Sequence, residues 1–203
     1  MDDADAARRE GPDVVACERC PALVESRSQI ANGDGPGDAS LLFVGEAPGA
    51  TEDREGRPFV GRSGDVLDDA LRDAGLARAD VRITNCVRCR PPDNRDPHAG
   101  ELANCRDHLD AEAAFVDPDL IVTLGKVPSE HLLDRSVAVT REAGSVHDAR
   151  VGGQSRRVLV SVHPAATLYD ASQREAFERG IAEAADVAGA TDGSDGQSRL
   201  GDY

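Results

Sequence analysis

Tryptophan is absent, methionine occurs once, and aromatic residues make up 3% of the 203-residue chain, so any ring stacking must rest on a handful of side chains. Lysine is nearly missing too: Lys126 stands alone, and every other basic residue is an arginine. No stretch approaches the roughly 18 consecutive apolar residues of a membrane span. The acidic opening MDDADAARRE has neither the basic region nor the apolar core of a secretory signal. These absences lead to the expectation of a cytoplasmic, monomeric chain with no membrane contact. In that reducing compartment the five cysteines are read as metal ligands or small core residues before they are read as disulfides.

What the chain has in excess is negative charge, with a formal net charge of -15 and a pI near 4.6. Such a balance ordinarily argues against a nucleic-acid partner. An Asp- and Glu-rich, Lys-poor surface is also what a halophilic protein carries, because concentrated salt screens the repulsion over a few ångströms. On that halophile reading the sign of the charge excludes nothing. The length suits one domain with a substantial core. Residues 1–13 and the tail 189–203 are polar and without period and are expected to be disordered. The folded body is expected over 14–188.

Four apolar runs read as buried strands: SLLFVGEA from Ser40, VRITNCV from Val81, LIVTLG from Leu120 and RVLVSVHP from Arg157. Helical patterns alternate with them. One places Val66, Leu67, Ala70, Leu71 and Ala74 on one stripe, a second opens at Pro97, a third at Pro128, and a last covers about Ala171 to Val187. The alternation predicts an α/β fold, a three-layer α/β/α sandwich with a central, mostly parallel four-stranded sheet. Ligands of such sheets sit beyond the carboxyl ends of the strands. Those ends carry Glu46, Asn85, Gly125 and His163, an acid, an amide and an imidazole brought together, with Phe59 from the first loop. That set fits a planar heterocycle that is stacked, read and acted upon.

The first loop, GEAPGATEDREGRPFVG from Gly45, is unusual in crowding carboxylates into a glycine-rich turn of the kind that elsewhere cradles phosphate. CERC at Cys17 and Cys20 is a two-ligand clip. Cys86 and Cys89 tempt as a second clip. In an extended segment, though, residues three apart point to opposite faces, so Cys89 can turn inward only past the strand end. Cys105 lies on the inward stripe of the next helix. Cys17, Cys20, Cys89 and Cys105 thus form a candidate quartet, with Cys86 left as a small buried residue; the competing reading is that all are ordinary core cysteines. Spacing alone does not distinguish iron–sulfur from zinc.

The ordered set of CERC, GEAPGATEDREGRPFVGRSG, TNCVRCRPPDNRDP with Cys105 following, LG at Leu124 and HPAA from His163 resembles the family-four, iron–sulfur uracil-DNA glycosylases, from Cys17 to about Tyr169. The resemblance implies an α/β/α fold, a 4Fe-4S cluster on the four cysteines, and hydrolytic removal of uracil from single- or double-stranded DNA. It implies that Glu46 orients water or stabilises the sugar cation, that His163 donates to a uracil oxygen, and that Asn85 pairs with the base edge. Phe59 would stack on the flipped ring, Glu52 would exclude thymine's methyl group, and Gly45 and Ala47 would pass close to the base. Arg88, Arg90 and Arg95 suit phosphate contact. Ser63 stands where the family usually has alanine, and Tyr169 where a basic residue often follows HPAA. Two other classes remain: a non-catalytic iron–sulfur nucleic-acid-binding protein on the same fold, and a zinc-stabilised nucleotide hydrolase.

Overall fold

A computed structural model describes residues 11–192. Its centre is a five-stranded sheet in the order β2-β1-β3-β5-β4. The strands are β1 (Leu41–Gly45), β2 (Arg82–Asn85), β3 (Leu120–Leu124), β4 (Val146–Val151) and β5 (Gln154–Ser161). β1 pairs in parallel with β2 and β3, and β3 with β5, whereas β4 runs antiparallel to β5. The sheet thus has one strand more than the four expected. β4 and β5 form a hairpin across Gly152 and Gly153, and β4 alternates exposed and half-covered residues instead of presenting an apolar run.

The central strands are apolar on both faces because helices cover both. Leu41 and Phe43 point to one side, packed with Ile83, Val122, Leu159, Phe177 and Ile181. Leu42 and Val44 point to the other, packed with Ile121, Val158, Leu109 and Leu132. Seven α-helices lie among the described residues: α1 (Pro21–Ser26), α2 (Ala50–Glu55), α3 (Arg62–Asp73), α4 (Ala99–Val116), α5 (Lys126–Leu133), α6 (Val139–Glu142) and α7 (Ala171–Asp192). α4 begins two residues after Pro97, where the Glu101 carboxylate accepts from the His98 backbone N–H at 2.7 Å. Pro128 sits in the first turn of α5, where no intrahelical N–H is needed.

α7 continues to Asp192, so the first residues of the segment expected as a disordered tail are helical; alanines in ADVAGATD sustain the helix past Gly189. Residues 1–10 and 193–203, which hold most of the two segments expected to be disordered, lie outside the described residues. No helix among the described residues is long and apolar enough to cross a membrane.

One polar knot lies beneath the sheet. Glu112 of α4 is fully buried and meets Arg82 of β2 at 2.8 Å, Arg88 just after it, and the Thr84 hydroxyl at 3.1 Å. This corrects the expectation for Arg88: its guanidinium is drawn inward by a buried carboxylate and does not face phosphate. Arg95 is likewise engaged, with both terminal nitrogens on Glu101 at 2.7 and 2.8 Å. Arg90 remains near the surface, bonded to Asn94 Oδ1 at 2.8 Å.

Candidate active site

A pocket of about 160 Å³ opens at the carboxyl ends of the strands, lined by Ala47, Gly49, Glu52, Phe59, Ser63, Asn85 and His163. It is smaller than the roughly 300–1,000 Å³ that drug-sized ligands occupy, and suits one small ring. Asn85, the last residue of β2, is buried, and its Oδ1 has no hydrogen-bond partner. A buried acceptor left open in this way is destabilising unless a ligand donates to it.

His163 stands two residues beyond β5. Its Nδ1 accepts from the Ala165 backbone N–H at 3.1 Å, so the ring proton of the neutral imidazole sits on Nε2. Burial pushes its pKa down to about 4, with the Glu52 carboxylate working weakly the other way. At neutral pH it is therefore an uncharged donor. The Phe59 ring lies 5.9 Å from the imidazole, tilted by 34°. Gly45 forms the floor: a Cβ there would lie 2.4 Å from Asn85 Oδ1 and 2.5 Å from a Phe59 ring carbon, so only hydrogen fits.

Glu52 is not a solvated loop acid. It lies on α2, nearly buried, with Oε1 accepting from the Gly61 backbone N–H at 3.0 Å. Glu46 does not line the pocket; it flanks it between Gly45 and Ala47. Burial first, and the Asp96 charge second, push its carboxyl up to about 7.

The cysteines meet elsewhere. Cys17, Cys20, Cys89 and Cys105 line one cavity together with Arg19, Leu23, Val24, Arg27, Arg88 and Asn104, while Cys86 is buried in the core beside Leu42 and Leu109. Arg27 Nη1 reaches Cys89 Sγ at 3.0 Å and Asn104 Nδ2 reaches Cys20 Sγ at 3.4 Å. Just past α1, the Ser28 backbone N–H bonds both carboxylate oxygens of Asp53, at 2.8 and 3.0 Å, joining the cysteine lobe to α2 of the pocket.

Residues 32–185 match the family model described as the Uracil DNA glycosylase superfamily. The chain belongs to the uracil-DNA glycosylase superfamily. Among curated proteins it is 41% identical to a type-4 uracil-DNA glycosylase of Thermotoga maritima, over 78% of this chain and 81% of that one. It is 35% identical to the type-4 enzyme of Archaeoglobus fulgidus, over 87% of this chain and 90% of that one. A type-5 uracil-DNA glycosylase of Pyrobaculum aerophilum is more distant, at 33% over 74% of this chain.

As a member of this superfamily the chain brings together Ala47, Glu52, Phe59, Asn85 and His163 in one pocket, with Gly45 beneath and Glu46 beside it. Sequence reasoning missed Gly49 and Ser63 as lining residues. Ser63 is the second residue of α3, whose first turn faces the pocket, and its place in the run GRSG between two glycines was the available signal.

Proposed function

We propose that this chain hydrolyses the N-glycosidic bond of deoxyuridine in DNA, single- or double-stranded, leaving an abasic site for base excision repair. The observation that carries the proposal is Asn85 Oδ1, a buried acceptor without a donor at the floor of a ring-sized pocket. The N3–H of uracil supplies that donor, and the amide nitrogen of Asn85 faces the adjacent O4. A base can reach such a recess only after leaving the stack, and Phe59 offers the replacement stacking surface.

The chemistry follows from charge. As the bond from C1′ to N1 breaks, its electron pair goes to the uracil ring and positive charge develops on the sugar. The neutral His163 donates from Nε2 to the uracil oxygen that takes up negative charge, which a preorganised donor in a dry site does well. Glu46, as carboxylate, faces the sugar side, stabilising the cation or orienting water. Water oxygen then bonds to C1′, its proton leaves to the carboxylate or solvent, and the uracil anion is protonated. Glu52, tied to Gly61, walls the pocket where a 5-methyl group would enter and so disfavours thymine.

The cysteine cavity fits a 4Fe-4S cluster. Its donors are all thiols, and two of the four sulfurs receive a hydrogen bond, as cluster thiolates do. A cluster there would cross-link the Cys17–Cys20 segment, the loop after β2 and α4, a bracing role. The acidic, lysine-poor composition supports a halophilic enzyme, and its DNA substrate a cytoplasmic one.

Purified protein incubated with a uracil-containing oligonucleotide, then treated with alkali, should give strand scission at uracil and none at thymine. Asn85→Ala and His163→Ala should each lose roughly 100-fold or more in rate. Intact DNA with the wild-type protein, or variants within a few-fold of it, would rule the proposal out.

A further inference from the structure

Phe59 presents its ring from an unfavourable backbone. Its φ is 50°, in the left-handed region that a bulky residue rarely enters and that is strained for one. Something must hold it there. The Arg78 guanidinium donates from Nη2 to the Pro58 carbonyl at 2.6 Å and from Nη1 to the Phe59 carbonyl at 2.8 Å. These are the carbonyls on either side of the strained φ.

The guanidinium is itself anchored. Asp68 of α3 accepts from Nη1 at 3.0 Å, and Asp34 lies 3.5 Å from Nη2. Asp34 is tied to the sheet through paired backbone bonds with Ile83 at 2.8 and 2.9 Å. From the other side, α3 leaves room for the Phe59 carbonyl only because residue 64 is glycine: a Cβ there would lie 1.9 Å from that oxygen.

We propose that Arg78 is a positioning residue for the reaction: it clamps the Pro58 and Phe59 carbonyls and thereby aims the Phe59 ring over the base pocket. Arg78 does not touch the pocket; it acts through the backbone of residue 59. A planar fork with several N–H donors spans two carbonyls, whereas an ammonium does not. The inference rests on the glycosylase reading of the pocket.

The test is a double-mutant cycle of Arg78→Gln and Phe59→Ala, read as single-turnover uracil excision, with a crystal structure of Arg78→Gln. Arg78→Gln should lose about 10-fold or more in rate when Phe59 is present and no more than about 2-fold when the ring has been removed. In the crystal, residue 59 should leave the left-handed region. Arg78→Lys, which keeps the charge near Asp34 and Asp68, should fold if Arg78→Gln does not. It should show the same dependence on the ring. Wild-type excision reports on the glycosylase reading by itself. The clamp is overturned by an equal loss with and without the ring, by no loss, or by an unchanged φ at residue 59.

Discussion

At the scale of single residues, Glu46, in the catalytic role proposed for it, is the group whose protonation would set activity near neutral pH. Burial and the Asp96 charge both resist its ionisation and hold its pKa near 7, while His163, pushed down to about 4, stays neutral throughout this range. If the carboxylate is the working form, kcat/KM should rise with pH up to about 7 and then level, with a limb that belongs to Glu46 and not to the imidazole. Asp96→Asn removes one cause of the shift and should move that limb to lower pH; Glu46→Gln should abolish it. A pH–rate profile of the three proteins checks this. For stability the sign is opposite. A carboxyl raised in the folded state favours the protonated fold, a contribution fully present below pH 4.5 and lost as pH rises through 7. If the carboxylate is the working form, the pH that activates Glu46 is the pH at which its burial weakens the fold.

At the scale of elements, β2 and α4 are locked by a charge cluster that neither could bury alone. Arg82 and Arg88 share the carboxylate of Glu112, the first of them also donating to the Gly35 carbonyl at 2.5 Å. Glu112→Leu removes the common counter-charge of two buried guanidiniums and should destabilise the protein by about 3–5 kcal/mol, read by chemical denaturation. How much of this was legible follows from what each element needs. β1, β2, β3 and the second half of β5 are buried on both faces and so appear as apolar runs. β4 is an edge strand, and its alternating residues look like a loop, although the glycine pair at 152 and 153 between them is a hairpin signal. α2 was hidden because a six-residue helix rich in acids resembles a solvated turn; Glu52 and Asp53 are nevertheless buried, each satisfied by a backbone N–H. Strand-end residues such as Asn85 and His163 were legible because the fold class dictates where they go. The left-handed Phe59 was not, since its cause, Arg78, is 19 residues away and acts on carbonyls.

At the scale of the whole molecule, 38 acidic residues against 23 basic ones surround a site that must receive a polyanion. Proteins gain affinity for DNA by releasing counterions, and that gain shrinks as salt rises. Here salt should instead help, by screening repulsion between protein and DNA. Activity should therefore increase from low salt toward molar salt, and at high salt Phe59→Ala should be more damaging than Arg90→Ala. Excision rates across a salt series decide it; a steep fall over that range would show that phosphate contacts dominate and would end the halophile reading of the surface.

In the base-reading role proposed for it, the unpartnered Oδ1 of Asn85 would also act as a filter. Cytosine differs from uracil on the edge this amide meets: N3 carries a lone pair where uracil has N–H, and an amino group replaces O4. Placed in the same pose, cytosine would set acceptor against acceptor and donor against donor. Sites built around a hydrogen bond reject the analogue that lacks it far more strongly than apolar pockets reject a missing methyl group. In the proposed pose, one amide at the end of a strand would let the enzyme pass over a normal DNA base that differs from its target by a single deamination.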